Sequence, residues 1–193
     1  MNAERRCAKN ELDVFDRIQT DVTARIAAVQ PSQFADPTPC GEWDVRAVLN
    51  HLIEINAQYA AIADGTEPPP DGLDHVGDDH VAAYIAARDI ARRVFTRPGM
   101  LDQPYTFPWG DETGSSIVRH VGNELLIHGW DLSRATGQST DLVPEDVPAS
   151  LARWRAWFGD APRPEGGAFG PERTALDGSP SADHLAAYLG RVV

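Results

Sequence analysis

Between Ala8 and Val29, apolar residues recur at intervals of three and four, at Leu12, Phe15, Ile18, Val22, Ile26 and Val29, while Arg, Asp, Glu and Gln take many of the positions between. That spacing predicts an amphipathic helix with one buried stripe, ended by Pro31. A second helix is expected after Asp44, which has the chemistry of an N-cap. It carries Val45, Val48, Leu49, Leu52, Ile55, Tyr59 and Ile62 on one side and runs to Asp64-Gly65. A third is expected from near Asp78 to Thr96, using Val81, Tyr84, Ile85, the stem of Arg88, Ala91 and Phe95. The fourth starts at Ser115 or Ser116, which can cap it, packs through Ile117, Val118, Val121, Leu125, Leu132 and Ala135, and stops at Gly137.

The segments between these helices have their own chemistry. Residues 31–43 hold three prolines and a glycine, which keep them non-helical, while Phe34 and Trp43 can fold the segment back onto the helices. The Pro-, Gly- and Asp-rich stretch from Gly65 to Asp74 reads as an exposed loop. From Pro98 to Gly114 there is no periodicity, but Tyr105, Phe107 and Trp109 supply rigid apolar surface that must pack on something. That loop either borders a pocket at one end of the bundle or closes the core.

Beyond Gly137 the pattern weakens to a short helix from Ala149 to Phe158, a Pro/Gly loop over Gly159–Gly170, a turn at Asp177-Gly178 and a last helix from Ser181 to Leu189. The expected fold is all-α: a four-helix bundle over residues 1–140, with an irregular, partly helical C-terminal extension over 141–193 packed on it.

Composition narrows the partners. The chain has 193 residues, 42% of them hydrophobic, which suits a packed core rather than a disordered chain. A net charge of -12 argues against binding a phosphate backbone, so no nucleic-acid partner is expected. No apolar run approaches a membrane span, and no signal-peptide pattern opens the chain, so a cytoplasmic protein without a membrane partner is expected. Cys7 and Cys40 form no CxxC pair, and each reads first as a reduced thiol. A nucleophilic role for Cys40 is the alternative. Monomer and homodimer both remain open.

Glu124 and His128 are four residues apart, so on a helix they share one face and can offer two ligands to one metal ion. His51, at the border of the second helix's apolar stripe, is the candidate third ligand. Two imidazoles and a carboxylate leave a position open on a divalent ion, as catalytic zinc sites do. Spacing alone also admits a satisfied buried polar pair. His120, one turn before Glu124, can replace it, shuttle a proton or merely pack. Asp131 would reach a ligand imidazole only if the helix bends; a cap or an ion pair with Arg134 is the other reading. His75 and His80 read as solvent-facing or capping.

Two blocks, Pro37-Thr38-Pro39-Cys40-Gly41-Glu42-Trp43-Asp44-Val45-Arg46-Ala47-Val48-Leu49-Asn50-His51-Leu52 and Glu124-Leu-Leu-Ile-His128-Gly-Trp130-Asp131-Leu132-Ser133-Arg134-Ala135-Thr136-Gly137, resemble the metal-binding N-terminal domain of the mycothiol-dependent maleylpyruvate isomerase family, within the DinB-like superfamily. The resemblance implies a DinB-like bundle that binds a divalent metal, zinc or nickel, through His51, Glu124 and His128. It further implies a low-molecular-weight thiol such as mycothiol as cosubstrate and a small-molecule electrophile as partner. The expected activity is S-transfer to that electrophile or cis–trans isomerisation of the maleylpyruvate type; the alternatives are a non-catalytic metal- and thiol-binding protein and a metal-assisted hydrolase. Arg46 and Arg119 are candidates for holding a carboxylate of thiol or substrate, and the loops around Tyr105 and after Ile62 for the substrate rim.

Overall fold

The computed structural model describes residues 3–41, 43–70, 72–107 and 110–193, with side chains described from Glu11 onward. Cys7 and Trp109 therefore lie outside the described side chains. Four long helices form the body: α1 (Ala3–Ala28), α2 (Val45–Asp64), α3 (His80–Phe95) and α4 (Gly114–Ala135). A short hairpin, β1 (Pro104–Phe107) and β2 (Gly110–Thr113), leads into α4, and two shorter helices, α5 (Val147–Phe158) and α6 (Ser181–Tyr188), follow it. This is the expected all-α bundle with a partly helical extension. No helix among the described residues is long and apolar enough to cross a membrane.

The predicted stripes are the ones that pack. Phe15, Ile18, Val22 and Ile26 on α1, Val29 just beyond it, and Val45, Val48, Leu49, Leu52, Ile55 and Tyr59 on α2, are all buried in one core. Asp44 caps α2 by accepting the Ala47 N–H at 2.8 Å, as the sequence suggested. At α4 the cap is Thr113 rather than Ser115 or Ser116: its hydroxyl accepts the Ser116 N–H at 3.2 Å. With Thr113 as the cap the helix begins a residue earlier than expected, at Gly114, which passes against the backbone of Met100, where a Cβ would lie 2.0 Å from the carbonyl oxygen.

The hairpin replaces part of the expected loop. Its antiparallel register sets Tyr105 opposite Glu112 and Thr106 opposite Asp111. Neither strand shows a clean alternation of buried and exposed positions, so the period-2 signal of a half-buried strand is missing.

Helix α4 is the centre of the molecule. It packs against α1, α2 and α6, and every residue from Glu124 to Ser133 is buried. A buried polar chain fixes three of the helices in register. The Tyr84 hydroxyl donates to Gln19 Oε1 at 2.7 Å, Gln19 Nε2 donates to Asn56 Oδ1 at 2.6 Å, and Asn56 Nδ2 donates to the Leu52 carbonyl at 2.9 Å. Each member is satisfied, as polar groups at 0–3% exposure must be.

The extension is tied down by an ion pair and a hydrogen bond. Arg17 of α1 donates to both carboxylate oxygens of Asp146 at the start of α5, at 2.8 and 2.7 Å. Trp130 of α4 donates its indole N–H to Asp183 of α6 at 2.7 Å.

Candidate metal centre

Helices α2 and α4 pack side by side, and their contact brings together the three residues singled out for metal binding. The ligand atoms of His51, Glu124 and His128 all lie within 4.8 Å of one another. His51 Nε2 is 3.2 Å from Glu124 Oε2, and His128 Nε2 is 3.5 Å from the same oxygen. The i, i+4 spacing supplies two donors from α4, and the apolar neighbours of His51 turn it inward from α2. Glu124 and His128 are buried, at 9% and 5% exposure, while His51 is half-buried. Trp43 lies over both imidazoles, with ring centroids 5.0 Å from His51 and 5.4 Å from His128. The linker thus folds back as expected, and its indole covers the cluster.

The charges are arranged for a cation. Burial pushes the Glu124 carboxyl up, but bonds from His128 and His51 outweigh it and hold the carboxyl well below its ordinary range. For His128, burial disfavours the charged ring. The bonds to Asp131, Cys40 and Glu124 together exceed that penalty and raise its pKa well above the ordinary value.

Asp131 reaches His128 without any bend in the helix: its Oδ2 lies 3.0 Å from His128 Nδ1, across an i, i+3 step of continuous α4. Three residues still bring two side chains to neighbouring positions of one face. Asp131 does not pair with Arg134. Its partner is Arg191, beyond α6, whose Nε and Nη2 each donate to the carboxylate at 3.1 Å. Arg191 also donates to the Ala168 carbonyl at 2.8 Å and to Cys40 Sγ at 3.4 Å. Cys40 is a free, half-buried thiol, and Cys40, His128 and Asp131 form a second group of convergent donors. Asp131 is there already held by Arg191 at 0% exposure, which makes that face a support rather than an open site.

The donors fit zinc or nickel. Imidazole nitrogen and carboxylate oxygen suit both ions, and a carboxylate on the second nitrogen of a ligand imidazole fixes its orientation, as Asp131 does for His128.

The other candidate residues have contacts of their own. Arg46 pairs with Asp74 and lies over the Phe34 ring, and Arg119 is engaged by Glu11 and Ser116. Of the two roles expected for His80, it takes the capping one: its Nε2 is 3.1 Å from the carbonyl oxygen of Ile26 in the last turn of α1, and its half-buried ring meets Phe34 edge-on. His75 is also half-buried, with its backbone N–H donated to Asn50. His120 lies against Tyr59, with ring centroids 4.9 Å apart and the planes tilted by 46°, and stays outside the cluster of three. Burial lowers its pKa, and Glu124 and Glu112 only partly restore it.

Beside Glu124 opens a cavity of about 440 Å³, within the range of small-molecule sites. One wall comes from the bundle, with Tyr59, Phe107 and His120, and the other from the extension, with Trp154, Phe158 and Phe169. The expected rim after Ile62 does not contribute; α5 takes that place. Sequence reading missed Arg191, Trp154 and the support role of Cys40. The one signal available was a buried-type Asp three residues after His128 that needed a cation.

A helix bundle with convergent His, Glu and His donors between two helices, and a cavity beside them, defines a candidate metal-binding bundle protein. The chain belongs to the mycothiol maleylpyruvate isomerase N-terminal domain family, whose model matches residues 15–133. Two relatives from Mycobacterium tuberculosis, Uncharacterized protein Rv0738 (strain ATCC 25618 / H37Rv) and Uncharacterized protein MT0763 (strain CDC 1551 / Oshkosh), are each 38% identical over 185 residues. Each match spans 94% of this chain and 98% of the relative. The crystal structure of the mycothiol-dependent maleylpyruvate isomerase overlays with a TM-score of 0.46 at 13% identity, covering 78% of this chain and 72% of that one.

Proposed function

We propose that the protein is a zinc-dependent enzyme that uses a small thiol of the mycothiol kind, either transferring it to an electrophile or isomerising a cis double bond by reversible thiol addition. The observation that carries this reading is the convergence of His51, Glu124 and His128 within 4.8 Å, beside a cavity that Glu124 lines. Membership in a family named for a mycothiol-dependent isomerase supports the choice of thiol.

In this reading His51, Glu124 and His128 bind the ion, and a bound divalent ion supplies Lewis acidity that favours the thiolate form of the cosubstrate. Asp131 keeps a proton on His128 Nδ1, so that Nε2 is the free donor. Trp43 restricts water at the cluster. The aromatic walls of the cavity receive the electrophile. Nickel would meet the same donors.

The test is metal content of the purified protein and of His51→Ala, Glu124→Ala, His128→Ala and His120→Ala. About one zinc per chain is expected in the parent and in His120→Ala, with large loss in the other three. A metal-free parent, or loss only in His120→Ala, refutes the site. Turnover of cis-enones that needs added thiol supports the enzyme; hydrolysis of esters or amides without thiol would make it a hydrolase, and thiol binding without turnover a binding protein.

A further inference from the structure

Tyr59 of α2 and His120 of α4 line the cavity from the same two helices that hold the candidate ligands. Their rings lie against each other, with centroids 4.9 Å apart. Among the described residues, neither the Tyr59 hydroxyl nor either His120 nitrogen has a hydrogen-bond partner. The unpartnered polar atoms that are sealed from solvent belong to Glu11, His75, Trp154 and Arg163, so those of Tyr59 and His120 are open, although Tyr59 as a whole is only 8% exposed. A phenol buried to that extent ordinarily bonds within the protein. One left open at a cavity points to a guest.

The charges around the pair favour an uncharged guest. Glu112 and Glu124 both line the cavity. Arg119 is taken by Glu11 and Ser116, and Arg153 feels Glu11 and Asp146, so neither stands as a lone cation for an anionic guest. Burial, reinforced by Glu124 and Glu112, pushes the Tyr59 hydroxyl up to about 12, which keeps its proton in place for donation. Burial likewise favours the neutral His120 ring, which carries one N–H. Two neutral donors side by side match one acceptor oxygen with two lone pairs.

We infer that the Tyr59 hydroxyl and the His120 imidazole act together to hold the carbonyl oxygen of an uncharged α,β-unsaturated carbonyl compound and to receive the charge that oxygen gains during thiol addition. This names the class of electrophile for the enzyme reading and rests on that reading for its chemical step. In that step the thiolate sulfur bonds to the β carbon, the π pair of the C=C shifts to become the enolate, and the enolate oxygen accepts from Tyr59 and His120. Rotation about the former double bond and expulsion of the same thiolate return the pair and give the isomer. Return of the thiol's proton to the α carbon gives the S-adduct instead. Donors placed at an oxygen whose charge grows stabilise the enolate more than the starting carbonyl. Holding the carbonyl does not itself require the metal, because both residues lie outside the cluster of three.

The probe is p-dimethylaminobenzylideneacetone, an uncharged conjugated ketone whose absorption moves to longer wavelength as its oxygen accepts hydrogen bonds. It is titrated at neutral pH, without thiol, into the full chain as purified and after chelator treatment. A saturable band at longer wavelength is expected in both states. Tyr59→Phe should move that band back and weaken binding about two- to tenfold, the scale of one hydrogen bond. His120→Phe, which keeps a ring against Tyr59, should do the same. The anionic p-dimethylaminocinnamate should bind more weakly than the ketone. Because the Tyr59 hydroxyl holds nothing within the chain, Tyr59→Phe should melt with the parent and keep its zinc content. With thiol present, that variant should lose about 10²-fold in kcat.

The inference is overturned if the ketone does not bind saturably, if its shift vanishes on chelation or survives both Tyr59→Phe and His120→Phe, or if the carboxylate binds as tightly as the ketone. These readings need neither metal nor turnover. A protein that binds no zinc but keeps the Tyr59-dependent shift sinks the zinc reading alone. A zinc protein whose thiol-dependent turnover ignores Tyr59→Phe sinks this one alone.

Discussion

Replacing Arg191 by Met asks how much the candidate site depends on a residue far from it in sequence. Asp131 is fully buried and Arg191 is 6% exposed, so the pair lies out of solvent. The substitution removes two bonds to Asp131, one to the Ala168 carbonyl and one to Cys40, and leaves a buried carboxylate facing only His128. Breaking a buried pair from one side costs about 3–5 kcal/mol, because the remaining charge is uncompensated. In urea, with a slope of about 2–3 kcal/mol/M, the midpoint should fall by roughly 1–2.5 M.

The double variant Asp131→Leu with Arg191→Met removes both charges and should recover much of the loss, since a buried pair replaced by apolar groups is often near neutral. If the proposed zinc site is right, Asp131→Asn should weaken zinc binding about 10–100-fold by loosening His128. The argument fails if Arg191→Met stays within about 1 kcal/mol of the parent, or if the double variant is no better than the sum of the singles.

Two more outcomes follow from groups away from that pair. His120 is held below its ordinary pKa, chiefly by burial, so folding favours its neutral form. The unfolded chain then binds the extra proton first, and stability should fall as pH drops below about 6.5; His120→Gln should flatten that slope in urea melts between about pH 5 and 6.5, and an unchanged slope would refute it. Gly190 has φ +94°, and a Cβ there would lie 2.6 Å from Gly170 Cα. Gly190→Ala should therefore lose at least about 2 kcal/mol, whereas Gly170→Ala, whose nearest contact would be 3.6 Å, should lose much less; equal losses by thermal unfolding would contradict the packing.

The long helices were legible because their burial follows the 3.6-residue period. On α1 and α2 the apolar positions at three- and four-residue spacing are the ones that reach the core. The convergence of His51 with Glu124 and His128 was legible only with help from motif resemblance, since a Glu and His four apart are common on any helix. The hairpin was hidden because only Phe107 of its described strand residues is buried. Arg191 was hidden for a different reason. Its role depends on a partner 60 residues away, and no local pattern encodes such a pairing. The cavity wall on α5 was obscured in the same way, by Trp154 and Phe158 reading as simple core.

The three candidate ligands all lie on α2 and α4, while the Arg191 contact to Cys40 spans 151 residues of chain. The brace on Asp131 closes 60 residues of chain and the His51–Glu124 contact 73, so loop length does not order the two, but position in the chain does. During synthesis, a chain folded through Ala135 already carries every donor, and the brace on Asp131 arrives afterwards. The three candidate donors are thus complete in the chain before the residue that braces Asp131 has been made.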